Sequence, residues 1–439
     1  MAANHTHIAI IGGGAAGMMA AIFAGRNAPD GTRVAVFDGA KKLGAKILIA
    51  GGGRCNVTHD IVNPVDYFGG ASRNTVKKIL KSFSVKETTA FFAALGVELK
   101  REETGKLFPV TDKARTVLDA LQRAMSNAGV EVFTEHRVTN IQVASGTGFQ
   151  PVEGPNHRQD ACATRHFMIQ TSRGPYTADR VVLATGGEAL PASGSDGAAY
   201  EIIERLGHTV TETWPALVPL LLQDGHFLMS LSGIALDAEL TLSGSTGKAL
   251  HKQQGAMLLT HFGLSGPAAM DMSRHLRPGK AVSGKSKLTV SFCPDLTFEQ
   301  LEQVWLDAAK QHPTRAIQTQ LRLRFPERFA QAILDKYLGI ELDLPLARLS
   351  RDDRRALCHA LTALPLPVVG DRGFKFAEVT AGGVPMDEVT TATMASKRCD
   401  GLYLCGEVLD VDGRIGGYNF QWAWCSGRLA GLAAATPGA

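Results

Sequence analysis

The sequence lacks several features that would assign it at once to a broad class of protein. Its seven cysteines include no C-x-x-C pair, which excludes a thioredoxin-type redox motif and the common zinc knuckles. Positive and negative charges nearly balance, with 46 Lys and Arg against 42 Asp and Glu. A net charge of +4 is too small to predict a nucleic-acid or membrane partner by itself.

A long hydrophobic run is also missing where a targeting segment would be expected. The first apolar run, at residues 8–11, is interrupted by Gly12, Gly13, Gly14 and Gly17, so it matches neither a signal peptide nor a membrane span. The cysteines are scattered, as is usual in a reducing compartment. We therefore expect a soluble, cytoplasmic protein without a membrane partner.

Glycine, in contrast, is abundant. The 439 residues contain 47 glycines, well above the usual share of about 7%, and they show no Gly-X-Y period. Many of them stand in short clusters after strand-like runs. Such clusters are typical of places where the backbone approaches a ligand.

The first cluster belongs to a β-α-β pattern. Residues 8–11 form a short apolar run, residues 12–17 fit G-x-G-x-x-G, and helix-forming residues continue to position 26. A second strand-like run at residues 33–37 ends in Asp38. This order of strand, glycine turn, helix, strand and acid predicts a dinucleotide site.

Each part of this pattern has a predicted role. The glycine turn and helix N-terminus would hold a pyrophosphate, and Asp38 would accept hydrogen bonds from a ribose. The predicted contacts in the turn are Gly12, Gly14, Ala15, Ala16 and Gly17. This half of the site alone does not separate NAD from FAD.

A second cluster, Gly51 to Asn56, predicts another unusual stretch of backbone. Arg54 could neutralise a pyrophosphate, and Asn56 could bond to a flavin edge. Cys55 has two interpretations: a thiol that passes electrons near a flavin, or a small residue packed against the cofactor. No second cysteine lies near it in sequence, which favours packing.

These residues resemble a known family. The run at residues 43–59, with G-G-G-R-C-N at its centre, is similar to the signature of the YhiN/BaiN-like (HI0933-like) bacterial FAD flavoproteins, distant relatives of fumarate reductases and ketosteroid dehydrogenases. The resemblance covers nearly the whole chain through further segments at 105–109, 215–220, 263–267, 406–410 and 416–419. One departure is Ala50, where the family implies a serine.

The resemblance implies an α/β fold: a Rossmann-like, glutathione-reductase-like FAD-binding domain with inserted β-barrel-like and helical subdomains. The corresponding FAD-binding domain comprises residues 1–190 and 377–439. Residues 191–296 would form a β-rich insert, residues 297–361 a helical insert, and residues 362–376 a return to the β-rich part.

The resemblance also implies where FAD is held. Val138 would hold the adenine through backbone groups, and the turn after the strand at residues 181–183 would rejoin the cofactor. At the C-terminal end, a helix N-terminus would face the N1–C2=O2 edge of the flavin, where reduced flavin carries negative charge. This last segment selects FAD over NAD. The further implied contacts are Lys46, Gly52, Gly53, Arg54, Cys55, Asn56, Thr185, Gly186, Gly187, Gly406, Glu407, Gly416, Gly417, Tyr418 and Asn419.

The middle of the chain contains no second G-x-G-x-x-G after a strand, so a separate nicotinamide domain is not expected. Strand alternation at 238–242 and 287–291 is followed by helical patterns from 298 to 361. Residues 146–165 form a polar excursion without a predicted role. Ser265 does not fit the G-x-S-x-G nucleophile elbow, because Pro267 replaces its second glycine, and a helix start is expected there.

Some side chains keep two interpretations. His261 and Arg274 could bind substrate or donate a proton, or they could be surface residues. Asp410 and Asp412 could be metal ligands, but the remaining positions of a calcium loop are missing, and we predict no metal site. The basic residues between 322 and 355 form either a solvated helix face or a nucleic-acid patch, and we do not expect a nucleic-acid partner.

The sequence as a whole predicts an FAD-dependent oxidoreductase that transfers hydride through flavin N5. By resemblance, the reaction is NAD(P)H-linked reduction of a conjugated carbon–carbon double bond in a small molecule, with NAD(P)H bound transiently and the insert covering the site. The alternatives are a flavin-dependent tRNA-modifying enzyme and a flavin-loaded redox sensor without turnover. The sequence identifies no catalytic residue and no oligomeric state.

Overall fold

The computed structural model describes residues 4–144, 166–276 and 286–436. Contacts divide the chain into two compact units: unit 1 comprises residues 1–213 and 379–439, and unit 2 comprises residues 214–378. Unit 1 is therefore built from both ends of the chain, with unit 2 inserted between them. The five-part division predicted from the sequence stays a prediction, and the polar excursion at 146–165 lies outside the described residues.

Strands and helices are numbered in chain order. The strands are β1 His5–Ile11, β2 Val34–Phe37, β3 Thr58–His59, β4 Tyr67–Phe68, β5 Leu99–Arg101, β6 Lys106–Pro109, β7 Glu131–Phe133, β8 Val138–Ala144, β9 His166–Thr171, β10 Gly174–Leu183, β11 Trp214–Ala216, β12 Leu220–Leu222, β13 Ala235–Ser243, β14 Ala249–Thr260, β15 Gly263–Ser265, β16 Lys287–Ser291, β17 Leu364–Leu366, β18 Val368–Asp371, β19 Val379–Ala381, β20 Leu402–Leu404 and β21 Asp412–Gly413. The helices are α1 Ala15–Asn27, α2 Ala45–Gly53, α3 Arg73–Ser82, α4 Val85–Ala94, α5 Ala114–Asn127, α6 Ala198–Arg205, α7 Gly266–Ser273, α8 Phe298–Gln311, α9 Ile317–Leu321, α10 Glu327–Gln331, α11 Arg351–Thr362 and α12 Tyr418–Ala435. A π-helix, Ala332–Leu338, directly follows α10.

The main sheet of unit 1 is Rossmann-like. Strands β7, β2, β1 and β10 lie side by side and parallel, and β20 joins the carboxyl-terminal half of β10, also parallel. Every residue of β2 is buried, as expected for a parallel strand covered on both faces. β9 and β8 extend the other half of β10 as an antiparallel meander. The predicted α/β class is confirmed.

The sheet of unit 2 is antiparallel and has seven strands in the order β17-β16-β13-β14-β15-β12-β18. Its two outermost strands, β17 and β18, are consecutive in the chain, and only Pro367 separates them. In a flat sheet, six spacings of about 4.8 Å would place these strands about 29 Å apart. A one-residue connection spans roughly 7 Å, so the sheet has to curl until its edges meet. This geometry is the predicted barrel-like architecture.

The helices of unit 2 pack with this sheet in one hydrophobic core, and they follow most of its strands in the chain, as predicted. The expected strands at 238–242 and 287–291 lie in β13 and β16. Helix α7 begins at Gly266, with Ser265 as its N-cap and Pro267 in its first turn, which confirms the predicted helix start. Among the described residues, no helix has the length and apolar character needed to cross a membrane.

Candidate functional site

Four of the predicted cofactor segments of unit 1 directly follow strands of the parallel part of its sheet. Gly12 follows β1, Asp38 follows β2, residues 184–187 follow β10, and residues 405–407 follow β20. In open parallel sheets, ligands bind in the crevice beyond the carboxyl ends of the strands. The fold therefore brings segments from both ends of the chain to one edge of the sheet, where a ligand is expected to bind.

The glycines of the first turn serve two purposes. A Cβ at Gly12 would lie 2.5 Å from the carbonyl oxygen of Ala184, and a Cβ at Gly17 would overlap the carbonyl oxygen of Gly12, so both glycines allow close backbone packing. Gly14 differs, because a Cβ there would meet nothing within 4 Å. It also caps α1 without a side-chain hydrogen bond. The N-terminus of α1 therefore faces open space, as an anion site requires.

Two alanines complete the first turn of α1. Ala16 is buried, and a Cβ at Gly406 would lie 2.8 Å from its Cβ. The turn after β20 thus packs directly on the start of α1. Ala15, one residue earlier, is partly exposed.

The carboxylate of Asp38 is fixed by backbone groups. Its Oδ2 accepts the N–H of Gly13 at 2.7 Å, and its Oδ1 accepts the N–H of Ala40 at 2.7 Å. Each carboxylate oxygen keeps one further lone pair. Asp38 can therefore accept ribose hydroxyls without rearranging, as the sequence predicts.

The second glycine cluster interrupts a helix. Ala50 leaves helical geometry inside α2, with φ −60° and ψ 144°. The three glycines that follow have φ values of 58°, 69° and 83°, a region that glycine enters without strain. Gly52 and Gly53 are exposed, and a Cβ at Gly52 would meet nothing within 4 Å. This stretch offers bare backbone to a ligand.

Arg54 already has acidic partners. Its Nη1 donates to Glu102 Oε1 at 2.5 Å and lies 3.7 Å from Asp112 Oδ1. Its guanidinium also lies 4.0 Å from the centre of the Phe108 ring. The predicted pyrophosphate contact would compete with these two carboxylates, and it stays a prediction. Asn56 lies beside Gly51, where a Cβ would be 3.4 Å from Asn56 Oδ1.

Cys55 is fully buried, with a φ of 62°. Burial raises the pKa of its thiol to about 12. The thiol is therefore protonated at neutral pH, whereas a nucleophilic or electron-transferring cysteine acts as the thiolate. The environment supports the packing interpretation.

Lys46 and Glu407 form an ion pair across the predicted site. Lys46 Nζ lies 2.7 Å from Glu407 Oε2, and 361 positions separate the two residues. Glu407 Oε1 accepts the N–H of Thr380 at 3.1 Å, and Lys46 Nζ donates to Ser195 Oγ at 3.4 Å. The pair joins α2 to the turn after β20.

The return turn after β10 contains an unused hydroxyl. Thr185 Oγ1 is buried and has no hydrogen-bond partner among the described residues. A Cβ at Gly186 would lie 2.5 Å from Ser195 Oγ, and one at Gly187 would lie 2.5 Å from Thr380 Oγ1. The turn is therefore tightly packed on one side, while Thr185 keeps a free polar atom for a ligand.

Tyr200 on α6 is a further candidate that was not predicted from the sequence. It is 8% exposed, and its hydroxyl has no hydrogen-bond partner in the described part of the chain. Burial raises the pKa of this hydroxyl, and the carboxylates of Glu407, Glu188 and Asp410 raise it further. No sequence motif includes this tyrosine. The same is true of Ser195 and Thr380, which come from separate parts of the chain.

Helices α1 and α12 lie parallel in close contact. Added Cβ atoms at Gly427 and Gly431 would overlap the carbonyl oxygens of Ala16 and Ala20, so the same four-residue step runs in the same direction on both helices. α12 begins nine residues before Gly427, whereas α1 begins one residue before Ala16. With a rise of about 1.5 Å per residue, the N-terminus of α12 lies about 12 Å beyond that of α1 along their shared direction.

The start of α12 is tightly built. Gly417 is its N-cap, with a φ of 102°, and a Cβ there would lie 2.6 Å from the carbonyl carbon of Thr58. Gly416 also has a positive φ, of 119°. Asn419 Oδ1 accepts the N–H of Gly413 at 2.7 Å, and its Nδ2 donates to the carbonyl of the same residue at 3.0 Å. This amide group therefore holds the glycine loop in place.

Tyr418 and Val138 are the remaining predicted contacts. The carbonyl of Tyr418 accepts the hydroxyl of Tyr67 at 2.8 Å, and its ring stacks on His59 with centroids 5.0 Å apart. Val138 opens β8 opposite Thr171 and is partly exposed. Their contacts to a cofactor stay predictions.

In unit 2, a contact is described for each of the two residues that keep two interpretations. The carbonyl of Arg274 accepts the indole N–H of Trp214 at 3.4 Å, and the ring of His261 meets Phe262 edge-on, with centroids 5.1 Å apart. These contacts leave both interpretations of His261 and Arg274 open.

Comparison with known proteins places the chain among bacterial relatives. The profile of the HI0933-like protein Rossmann domain matches residues 6–433. The 3-dehydro-bile acid delta(4,6)-reductase of Clostridium scindens is 34% identical over 429 residues, which is 98% of each chain. The ribosomal RNA dihydrouridine synthase of Escherichia coli is 32% identical over 419 residues, or 95% of each chain.

Solved structures agree with this fold. The 3-ketosteroid delta1-dehydrogenase from Sterolibacterium denitrificans, in complex with 1,4-androstadiene-3,17-dione, is 12% identical to this chain. It aligns over 98% of this chain and 99% of its own, with a TM-score of 0.52. At this identity the likeness concerns the fold alone.

Proposed function

The chain belongs to the HI0933-like protein family and is an FAD-dependent oxidoreductase, and from this premise we propose that it reduces a carbon–carbon double bond conjugated to a carbonyl group. The relatives are named as enzymes, which supports turnover rather than a sensor role. The predicted alternative of a redox sensor without turnover is therefore set aside.

The observation that carries this proposal is the chemistry shared by two relatives' names. A delta(4,6)-reductase of a 3-dehydro steroid removes double bonds conjugated to a ketone. A dihydrouridine synthase saturates the uracil ring, whose double bond is conjugated to a carbonyl. The substrates differ greatly in size and charge, but the reacting group is of the same kind.

The residues present fit FAD. The open N-terminus of α1 at Gly14 suits the pyrophosphate, and the buried, unpartnered hydroxyl of Thr185 needs a polar ligand atom. A second helix N-terminus, at Gly417, lies about 12 Å farther along the same direction. A dinucleotide that continues from its pyrophosphate through a ribityl chain to a flavin can reach both ends, whereas a phosphate alone cannot.

When bound, FAD supplies hydride chemistry at its ring. The chain's own residues would bind and tune it: Asp38 accepts ribose hydroxyls, and the bare backbone at Gly52 approaches the cofactor. The N-terminus of α12 would place partial positive charge near the part of the ring that is negative when reduced. The Lys46–Glu407 pair keeps a cation beside the site without net charge.

The electron donor in this proposal is NADH or NADPH, bound transiently. Because no second dinucleotide motif follows a strand in the sequence, this donor would bind without a domain of its own. A nicotinamide that docks, delivers hydride and leaves needs no Rossmann domain of its own. The double bond then takes up two electrons and two protons in total, one as hydride and one from a general acid or water.

The test is product analysis on the FAD-loaded protein. NADH or NADPH is supplied anaerobically together with a 4-en-3-one steroid or a simple cyclic enone. The mass of the product is then measured by mass spectrometry. We expect a gain of two hydrogen atoms that requires bound FAD. If FAD is reduced and every conjugated acceptor remains unchanged, the proposal is wrong.

Ribosomal RNA is a second candidate substrate because two relatives carry the dihydrouridine synthase name. The relative from Haemophilus influenzae is 30% identical over 425 residues. These names favour ribosomal RNA over transfer RNA, the alternative considered from the sequence. The experiment is to compare dihydrouridine in ribosomal RNA from wild-type and deletion strains, with the level lost on deletion if this candidate holds.

The ion pairs of the basic residues between 322 and 355 in unit 2 favour a small-molecule substrate over RNA. Arg324 pairs with Asp295, and Arg322 lies 3.4 Å from Glu327. Both Arg354 and Arg355 lie 3.4 Å from Glu302. These acids neutralise much of the positive charge that would attract phosphates.

A further inference from the structure

A cluster of metal-binding side chains lies on unit 1, on strands that lead to the cofactor edge. His5 and His7 alternate along β1, so both side chains project from the same face of the sheet. On the neighbouring strand β10, His5 is in register with Thr177, and Asp179 is two residues farther on the same face. Ligand atoms of His5, His7 and Asp179 all lie within 4.8 Å of one another.

A third histidine reaches this cluster from the next strand. His166 opens β9, one residue beyond the pair formed by Phe167 and Ala178. Its Nδ1 lies 2.8 Å from Asp179 Oδ1, while His5 Nε2 lies 3.6 Å from the same oxygen. Three imidazoles, two from β1 and one from β9, therefore surround one carboxylate, which the strand between them, β10, supplies.

We propose that His5, His7 and Asp179 form a binding site for a divalent transition-metal ion of the zinc type, with His166 as the outer partner of the carboxylate. Imidazole nitrogen with carboxylate oxygen is a ligand set that Zn²⁺ prefers. Bond lengths near 2.0–2.1 Å place tetrahedral ligand atoms roughly 3.3 Å apart. The 3.6 Å between His5 Nε2 and Asp179 Oδ1 is close to that spacing.

The partners of these side chains set their roles. His5 Nδ1 lies 3.0 Å from the hydroxyl of Thr177, which fixes the ring and leaves Nε2 to face the ion. His166 can donate from Nδ1 to Asp179, as outer-shell groups do around bound metals. The side chains of His5, His166 and Asp179 are 31–45% exposed, so an ion can reach them from solvent.

His7 makes the site one of moderate affinity. Its Nδ1 accepts the backbone N–H of Arg33 at 2.9 Å. A metal-bound imidazole uses one nitrogen for the ion and carries its proton on the other, so His7 has to give up this hydrogen bond when it binds. We therefore expect micromolar rather than nanomolar binding.

No metal site was predicted from the sequence. A His-x-His pair at residues 5–7 was visible, but two histidines alone do not define a site. Asp179 and His166 join them only because β10 lies between β1 and β9 in the sheet. This inference does not depend on the proposed reaction.

The experiment titrates the full-length, FAD-loaded chain with Co²⁺ and then with Zn²⁺. We expect one Co²⁺ per chain with a visible absorption band, displaced by one equivalent of Zn²⁺. Asp179→Asn, His5→Ala and His7→Ala should each weaken binding at least tenfold, and His166→Ala two- to fivefold. As a control, His312→Ala removes an exposed histidine of unit 2 and should leave binding within twofold.

Measurements on the variants also separate a loss of metal binding from a loss of folding. Circular dichroism without metal establishes which of them are folded, and His5→Ala serves if Asp179→Asn is unstable. Zn²⁺ should raise the melting temperature of the wild type and not that of the binding-deficient variants, because a ligand stabilises only the state that binds it. Absence of saturable binding, or binding unchanged in both His5→Ala and Asp179→Asn, would overturn the proposal.

Discussion

The two helix N-termini of the candidate site differ in how they are built. At α1, Gly14 leaves open space, and no side chain caps the helix. At α12, Gly417 is pressed against Thr58, and a hydrogen bond joins the hydroxyl of that threonine to Gln421 Oε1 at 2.7 Å. One end is free to receive a ligand, and the other is embedded in the fold.

This difference suggests that the start of α1 serves mainly to bind the cofactor, whereas the start of α12 also holds the fold together. Around α12, buried Gln421 also donates to the carbonyl of Phe83 at 2.7 Å, and the indole of Trp424 donates to the carbonyl of Val57 at 2.8 Å. Such a network holds a helix end in position with little freedom to adapt. We therefore expect changes at α1 to remove the cofactor while the fold survives, and changes at α12 to damage the fold itself.

The largest effect on FAD is expected from Gly14→Val. The backbone at Gly14 has φ −80°, which any residue adopts, and the added side chain would occupy only the open space that the pyrophosphate is expected to fill. We expect at least a hundredfold loss of FAD affinity with near-wild-type circular dichroism and melting of the apoprotein. Gly370→Val is the control, because a Cβ at this position of unit 2 would also meet nothing within 4 Å, and this variant should keep its FAD. Normal flavin absorbance in Gly14→Val would mean that the first turn does not hold the pyrophosphate.

A smaller loss of FAD, but a larger loss of stability, is expected from Gly417→Ala. Its φ of 102° and the 2.6 Å approach to Thr58 leave no room for a methyl group. The free energy of unfolding should fall by about 2–4 kcal/mol, as for strained backbone and overpacking combined. Chemical denaturation of the apoproteins measures this difference. If Gly417→Ala is as stable as Gly14→Val, the two helix ends do not differ as described.

An intermediate effect is expected from breaking the Lys46–Glu407 pair. In Lys46→Met, Glu407 loses its cation and keeps the N–H of Thr380. We expect about tenfold weaker FAD binding and a stability change of about 1 kcal/mol, since the pair is partly exposed. Glu407→Gln and the double variant complete a thermodynamic cycle. Additive effects would show that the two residues act independently.

The smallest effect on FAD content and turnover is expected from Cys55→Ser. Because burial raises the pKa of the thiol to about 12, no thiolate is available near neutral pH to be lost. FAD content and turnover should stay within about twofold, and the buried hydroxyl should lower stability by about 1–3 kcal/mol. Labelling of Cys55 by iodoacetamide should be slow from pH 7 to pH 9. A variant that retains FAD but cannot be reduced would show that the thiol takes part in the chemistry.

The sequence predicted those parts of the fold that are local in the chain. The turn from Gly12 to Gly17, the acid at Asp38 and the helix start at Gly266 all follow from short-range geometry. The barrel-like sheet of unit 2 was predicted from the family resemblance alone. Its physical reason, two edge strands joined by Pro367, becomes visible only when the strand order is known.

Contacts between residues far apart in the chain could not be predicted from the sequence. Lys46 and Glu407 were both predicted to touch the cofactor, but nothing in the chain indicates that they bond to each other. Tyr200 lies on an ordinary helix, and only the packing of the described residues shows that its hydroxyl is buried without a partner among them. The acids around Arg54 likewise come from other segments. The sequence therefore contained no sign that they would compete with a pyrophosphate for this side chain.

The central claim is tested most directly by one anaerobic titration of the FAD-loaded protein, followed through flavin absorbance. NADH or NADPH is added until the flavin is bleached, and a conjugated enone is then added in small portions. We predict that the oxidised spectrum returns with one enone consumed per flavin and that the double bond is saturated. A flavin that stays reduced in the presence of excess enone and uridine-containing ribosomal RNA would contradict the account.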